Sequence, residues 1–163
     1  MWKYILVLLQ SLQPNAPWIG TYEQTARAID EVAHEDPLYR GEDGVVRTVA
    51  EIVAIGWYES KFDPRAEGDH GNSLGFGQVG VSNLPALGMT RDDLLDVRQN
   101  VRAMVRMLRD SHRACAVAPL EDQLAAYATG NGHCFVPEGV LASKHRMGLA
   151  KRIMREHRPF WTE

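Results

Sequence analysis

The chain reads GWYESKFDPRA at residues 56–66, where a long apolar helical pattern ends. The preceding residues, from Val45 to Tyr58, carry apolar side chains along one continuous helical stripe. Glu59 therefore falls at the end of an apolar helix. A carboxyl group against apolar surface is poorly hydrated, which raises its pKa toward the range that a general acid needs. On these residues alone, a solvated glutamate is the simpler interpretation.

A glycine-rich stretch follows, from Phe62 to Gly88, and it has no regular periodicity. Six of its residues are glycine and two are proline, which indicates special backbone angles or close approach of a ligand. An interdomain linker could have this composition, but it would hardly contain several large apolar side chains. We expect a structured loop beside the helix end, a common place for functional residues.

Helical periodicity dominates the rest of the chain. Four further helices are predicted at 21–33, 97–108, 120–127 and 140–153. At 163 residues, with 45% hydrophobic residues, the chain fits one compact domain and a monomer is expected. The net charge of −3 argues against nucleic acid as a partner. No stretch approaches the roughly 18 apolar residues of a membrane span.

The N-terminal segment, residues 1–20, has two interpretations. Its apolar run follows Lys3 and resembles a signal peptide, but Pro17 makes a poor cleavage site after Ala16. The alternative is a first helix that packs into the core. In either case residues 21–163 are expected to form the functional domain.

Two cysteines, Cys115 and Cys134, could form one disulfide, which would stabilise the fold by roughly 3 kcal/mol and favour an oxidising compartment. A zinc site with His112 and His133 is an alternative, although adjacent ligands suit tetrahedral geometry poorly. Two free buried thiols are the third interpretation.

Four motifs in order resemble the signature of the soluble lytic transglycosylases and goose-type lysozymes, glycoside hydrolase family 23. They span roughly residues 45–132, and they are specific in combination. The motifs are ESxFxPxA from Glu59, SLGFGQ from Ser73, Asn100 within a helix, and AYATGNG from Ala126. The GFGQ form and the cysteine-flanked later region look most like the transglycosylases associated with type IV secretion and phage virions.

The resemblance implies a mainly α, lysozyme-like fold with a sugar-binding groove and a glycine-rich active-site loop or small β element. It implies that Glu59 is the catalytic acid and base, and that Ser60 supports the helix end. The substrate-binding candidates are Gln78, Tyr127, Ser73 and Phe76.

Each of these residues also has a structural interpretation. Gln78 could satisfy loop backbone groups, Tyr127 could lie in the core, and Asn100 taken singly is expected to be an exposed helix residue. Trp57 is expected in the core, whereas Tyr58 could line the groove.

The resemblance implies that the enzyme is a lytic transglycosylase, which cleaves the bond between N-acetylmuramic acid and N-acetylglucosamine in peptidoglycan and forms a 1,6-anhydro product. A goose-type lysozyme is the alternative, with Asp69 as the second carboxylate. Its further aspartate, expected just after Gln78-Val79, is Gly80 here. An inverting hydrolase needs carboxylate groups besides the general acid to activate water. Because one of the two aspartates expected for this task is absent, the transglycosylase is favoured. Asp69 could also be an ordinary turn residue.

The expected partner is the peptidoglycan glycan strand, outside the cytoplasm, together with a secretion system or a virion. This chemistry requires no cofactor, and the sequence indicates none. A non-catalytic wall-binding module is an alternative of another class. The basic residues of the last helix are expected to form a solvated face, with contact to the anionic wall as the alternative; they are Lys144, His145, Arg146, Lys151, Arg152, Arg155 and His157.

Overall fold

The structure is a computed structural model that describes residues 1–130 and 132–157, without the side chain of His157. Asn131 of the AYATGNG motif and the basic side chain of His157 lie outside the described residues. Helices account for most of the described chain and three short strands are also present, which confirms the mainly α fold with a small β element. The helices are α1 (Trp2–Leu12), α2 (Tyr22–Glu35), α3 (Gly44–Ser60), α4 (Leu84–Leu87), α5 (Arg91–Leu95), α6 (Val97–Ala114), α7 (Ala125–Thr129) and α8 (Pro137–His157). The strands are β1 (Glu67–Gly68), β2 (Ser73–Leu74) and β3 (Val79–Gly80).

Helix α3 lies at the centre of the molecule, where α2 and α8 pack against it. Every residue from Thr48 to Gly56 is buried, since this stretch is apolar on nearly all sides. The helix ends at Ser60 because Lys61 and Phe62 both adopt left-handed backbone angles, with φ of 55° and 67°. Their backbone amides donate to the carbonyl oxygen of Gly56, which closes the last turn. This ending places Glu59 at the surface of the core.

The N-terminal apolar run forms α1, which packs against α2. Ile5, Leu8 and Leu9 are buried there, and the amide of Trp2 donates to the carboxylate of Asp30 at 3.0 Å. This is the arrangement that the first-helix interpretation expects, while the signal peptide stays a prediction. Among the described residues, no helix has the length and apolar character needed to cross a membrane.

The glycine-rich stretch forms a three-stranded antiparallel sheet in the order β1-β2-β3. Ser73 pairs with Gly68 on one side and with Gly80 on the other. Gly75 follows β2 with a φ of 74°, and a Cβ atom there would overlap the side chain of Asn100. Glycine is therefore required at this position by both the backbone angle and the close approach of α6.

Asn100 fastens this loop to α6. Its amide nitrogen donates to the carbonyl oxygens of Leu74 and Leu94, both at 2.8 Å, and its amide oxygen accepts from Gly77 N–H at 2.8 Å. The side chain is fully buried. The expectation of an exposed helix residue is wrong, because its three hydrogen bonds satisfy buried backbone groups of the loop, at Leu74 and Gly77, and of α5, at Leu94.

The predicted helix at 120–127 is shorter and later in the structure. A 3₁₀ turn occupies Leu120–Asp122, and α7 begins only at Ala125. The two are separate because the amide of Leu124 donates to Ser143 Oγ of α8, at 3.0 Å, rather than to a helical carbonyl. Helix α8 begins at Pro137, which suits a first helical turn because proline lacks an N–H group.

Cys115 and Cys134 are joined by a disulfide, with their Cα atoms 5.4 Å apart. It connects the end of α6 to the segment before α8. The bond uses both thiols, which rules out the zinc site and the free cysteines. His112 instead bonds Glu51, with His112 Nε2 and Glu51 Oε1 2.8 Å apart. Within residues 1–130 and 132–156, no three potential ligand side chains are grouped to hold a metal ion.

Candidate active site

A polar cleft of about 390 Å³ lies between the end of α3, the three-stranded sheet and α7. The residues that line this cleft are mostly small or polar, and most of them come from the glycine-rich loop and from α7. The structure brings five of the predicted site residues together in this cleft: Glu59, Asp69, Ser73, Gln78 and Tyr127.

Glu59 reaches the cleft from the last turn of α3, and its side chain is only 17% exposed. Burial raises the pKa of Glu59; the guanidinium of Arg146 opposes this rise, and the negative charge of Asp69 adds to it. A carboxyl group that keeps its proton closer to neutral pH is able to act as a general acid. The environment predicted for Glu59 is therefore present, and the solvated helix-end interpretation is wrong.

Arg146 of α8 binds Glu59 directly. Its Nε and Nη2 atoms donate to the same carboxylate oxygen, Oε1, at 3.0 and 2.6 Å. The Arg146 side chain is 12% exposed, so the prediction of a solvated residue is wrong at this position. The sequence carries a signal, because Ser143, Met147 and Ala150 lie three before, one after and four after Arg146. All three are buried, and this spacing puts Arg146 beside the inner face of the helix.

Gln78 holds the loop through its side-chain amide. Its nitrogen donates to the carbonyl oxygens of Ala66 and Gly75, at 3.1 and 3.0 Å. The residue has a φ of 48°, and its amide oxygen lies so close to Gly68 that a Cβ atom there would clash. Gln78 thus shapes the cleft wall by satisfying backbone groups, while it also lines the cleft.

Tyr127 stands opposite the loop, at the start of the AYATGNG motif. Its hydroxyl donates to the carbonyl oxygen of Gly77 at 2.6 Å. Burial, followed by the negative charge of Glu59, raises the pKa of Tyr127 well above its ordinary value. The hydroxyl therefore stays a neutral donor next to the carboxylate.

Asp69 lies on the exposed side of the cleft, in a left-handed conformation with a φ of 50°. Ser73 Oγ donates to Asp69 Oδ2 at 2.9 Å, which fixes the carboxylate relative to β2. Gly80 also lines the cleft but offers no side chain. Asp69 and Glu59 are the carboxylates among the described residues that line this cleft.

A family model described as the transglycosylase SLT domain matches residues 46–136, more than half of the chain. The chain belongs to the transglycosylase SLT domain family. No curated protein and no solved structure matched the chain. At the level of the family, membership implies cleavage of peptidoglycan of the lytic transglycosylase type, on a lysozyme-like fold. The matched segment contains the cleft residues of α3, the sheet and α7, but Arg146 lies outside it.

Phe76 of the SLT segment does not line the cleft, and its prediction as a substrate-binding residue is wrong. Its side chain is fully buried, stacks on Phe62 at a centroid distance of 6.1 Å, and lies against Gly56 of α3. Only glycine at position 56 leaves room for this ring. Ser60 Oγ donates to the carbonyl oxygen of Phe76 at 2.7 Å, in agreement with its expected structural role.

The two aromatic residues before Glu59 have different environments. Trp57 is half-buried and packs against Phe62, with ring centroids 5.7 Å apart. Tyr58 is 41% exposed and stacks on His145 of α8, with ring centroids 6.3 Å apart. Tyr58 lies outside the residues that line the cleft, so its role in the groove stays a prediction.

Proposed function

We propose that this SLT domain is a peptidoglycan lytic transglycosylase that uses Glu59 as both acid and base. The observation that carries the proposal is the mostly buried carboxyl group of Glu59, which has a raised pKa and lines a polar cleft. Glu59 gives its proton to the oxygen between N-acetylmuramic acid and N-acetylglucosamine, and the glycosidic bond breaks. The resulting carboxylate then accepts the proton of the muramoyl 6-hydroxyl, whose oxygen closes the 1,6-anhydro ring. The substrate supplies its own nucleophile, so one protein carboxyl group is sufficient and no cofactor is required.

The surrounding residues support this role by shaping the cleft. Gln78 and Asn100 hold the loop backbone, and Tyr127 joins the loop to α7. These contacts keep one wall of the cleft fixed relative to Glu59. A fixed wall favours productive orientation of the sugar, which is a large part of catalysis by proximity.

Goose-type lysozyme activity is the second candidate, and Asp69 is the observation that favours it. Its negative charge contributes to the raised pKa of Glu59, so the two carboxylates are electrostatically coupled across the cleft. In a hydrolase Asp69 would position water for attack on the anomeric carbon. Gly80, which lines the same cleft, provides no further carboxylate for this task.

Mass spectrometry of the products released from purified peptidoglycan tests the proposal. Muropeptides that end in 1,6-anhydro-N-acetylmuramic acid support the transglycosylase. Products heavier by one water, with reducing ends, support the lysozyme, and Asp69→Asn should then abolish their release. A protein that binds peptidoglycan but releases nothing from it would instead be a wall-binding module.

Two variants assign the chemistry to Glu59. Glu59→Gln should lose about 100- to 10,000-fold in turnover, because an amide cannot transfer the proton. Glu42→Gln is the matched control, since Glu42 is an exposed loop residue outside the cleft. Turnover by Glu59→Gln at the wild-type rate would contradict the proposal.

The proposed site of action is outside the cytoplasm, where peptidoglycan lies. The disulfide between Cys115 and Cys134 supports this, since such bonds persist in oxidising compartments. The contribution of α8 to the site supports a functional domain that extends beyond the matched residues, toward the proposed range of 21–163. Association with a secretion system or a virion stays a prediction.

A further inference from the structure

Arg146 makes an asymmetric contact with the candidate catalytic carboxyl group. Both of its donating nitrogens, Nε and Nη2, bind Oε1 of Glu59. Among the residues that the structure describes, Oε2 receives no hydrogen bond. The residue comes from α8, outside the segment matched by the family model.

A guanidinium group donates hydrogen bonds and accepts none. If Oε1 carried the proton of a neutral carboxyl group, that O–H group would have to share Oε1 with two hydrogen bonds from the N–H groups of Arg146. Such an arrangement brings donor groups against each other and is unfavourable. The proton of neutral Glu59 therefore belongs on Oε2.

We propose that Arg146 is a positioning residue that selects Oε2 of Glu59 as the atom that both gives and takes the catalytic proton. The proposal rests on the proposed function. Arg146 keeps its hold on Oε1 throughout the reaction, so that the carboxyl group does not rotate between its two tasks. The guanidinium also stabilises the carboxylate that exists between the two proton transfers.

The proton balance of the reaction closes on this one oxygen. Oε2 gives its proton to the glycosidic oxygen, the bond from that oxygen to C1 of the muramoyl residue breaks, and N-acetylglucosamine leaves with a 4-hydroxyl group. The 6-hydroxyl oxygen then bonds to C1, and its proton passes to Oε2. Glu59 ends the cycle protonated, and no water is consumed.

Removal of the positive charge has a predictable electrostatic effect. An opposite charge at ion-pair distance lowers the pKa of a carboxyl group by roughly 1 to 3 units. In Arg146→Met the positive charge that lowers the pKa of Glu59 is lost, while the burial that raises this pKa persists. Glu59 therefore becomes a weaker acid. The alkaline limb of the pH profile of kcat/KM should therefore move up by about 1 to 3 pH units, with a lower plateau rate.

The test compares wild-type protein, Arg146→Met and Arg146→Lys in two measurements: the titration of the Glu59 carboxyl carbon by ¹³C NMR, and the pH profile of muropeptide release. Arg152→Met is the control, because Arg152 is an exposed arginine of the same helix. In Arg146→Met, we expect the pKa of Glu59 measured by NMR and the alkaline limb of the pH profile to rise together. In Arg152→Met, both should stay at the wild-type position. Arg146→Lys retains the charge but not the paired nitrogens, so its limb should stay close to the wild-type position while its plateau rate falls. If Arg146→Met fails to fold, Arg146→Lys tests the proposal, because the proposal requires a lower plateau rate with an alkaline limb close to the wild-type position.

An unmoved limb with a rate lowered equally at every pH would show a merely structural role and overturn the proposal. The NMR titration needs no turnover, which separates the two levels of inference. Absence of cleavage by wild-type protein would contradict the proposed function and, with it, the positioning role of Arg146. If wild-type protein cleaves peptidoglycan but the alkaline limb of the pH profile does not move in Arg146→Met, only the positioning role is contradicted.

Discussion

The hydroxyl group of Tyr127 donates a 2.6 Å hydrogen bond to the carbonyl oxygen of Gly77, which joins α7 to the glycine-rich loop beside the cleft. The backbone amide of Tyr127 is also held, by Ser111 Oγ of α6 at 3.0 Å. Through these two contacts one residue links the loop, α6 and α7. The position of the cleft wall therefore depends on Tyr127 as well as on the loop itself.

Tyr127→Phe should lower both stability and activity. The change leaves the buried Gly77 carbonyl without this partner, at a cost of about 1–3 kcal/mol in the free energy of unfolding. A shifted loop should reduce kcat by roughly 10- to 100-fold, since small misplacements are costly in catalysis. Urea unfolding and muropeptide release measure the two effects. Tyr22→Phe is the control, because the Tyr22 hydroxyl also donates to a backbone carbonyl oxygen, that of Gln13 at 3.1 Å, but Tyr22 does not line the cleft. Lost activity at full stability would mean that the hydroxyl acts on the substrate instead.

Glu59 should make the stability of the protein depend on pH. Its pKa in the folded state is raised, chiefly by burial, above an unfolded value of about 4.3. The folded state therefore holds the proton more tightly, and the stability linked to this proton is fully present below the unfolded pKa. It is lost as the pH rises through the folded pKa.

Urea unfolding of wild-type protein and Glu59→Gln across pH 4 to 8 measures this contribution. The difference in the free energy of unfolding between the two should shift in favour of Glu59→Gln as the pH rises from about 4.3. A difference that shifts in the opposite direction would show that Arg146, rather than burial, dominates the pKa of Glu59.

Much of the fold follows from local pattern in the sequence. The apolar stripe before Tyr58 predicts α3 because burial on nearly all sides requires apolar residues throughout. The glycine-rich stretch predicts a structured loop with positive φ angles, as at Gly75. The boundary between the 3₁₀ turn and α7 was not predictable, since it depends on Ser143 of a distant helix.

The site was predictable where a motif marks it and not where packing decides. Glu59, Gln78 and Tyr127 lie in motifs, and all three line the cleft. Arg146 belongs to no motif, and its role depends on how α8 packs against α3. Phe76 lies between two motif glycines, but its ring enters the core because Gly56 leaves a space for it. Tertiary contacts of this kind are not visible as periodicity.

The disulfide between Cys115 and Cys134 should contribute to both stability and site geometry. It encloses the chain segment that contains α7 and Tyr127, with a sequence separation of 19 residues. A loop of this size predicts a loss of about 3 kcal/mol when the bond is removed. We expect Cys115→Ser/Cys134→Ser to unfold at lower urea and to release muropeptides more slowly. Wild-type protein in a reducing agent should behave like this variant, whereas identical unfolding curves with and without reductant would contradict the prediction.

Glu51, buried in the middle of α3, forms a second ionisable cluster apart from the cleft. Its carboxylate accepts from the Tyr39 hydroxyl and bonds His112 Nε2 at 2.8 Å, while His112 Nδ1 lies 3.1 Å from Gln123 Oε1. Burial lowers the pKa of His112, but the hydrogen bond and charge of Glu51 outweigh it, and the pKa is raised overall despite the repulsion from Arg47. A histidine that gains a proton on folding stabilises the folded state while it is charged.

The stability linked to His112 should be fully present below about pH 6.5, the ordinary histidine pKa, and should be lost as the pH rises through the raised value. Glu51→Gln removes the charge that holds the proton. We expect it to cost about 3 kcal/mol at pH 6 and less at pH 9, because His112 loses its charge as the pH rises through its raised pKa. His34→Asn is the control, because His34 is an exposed histidine that pairs with Asp30 rather than with Glu51. Unfolding in urea at both pH values measures the difference, and a cost that is the same at pH 6 and pH 9 would show that the pair contributes through packing rather than charge.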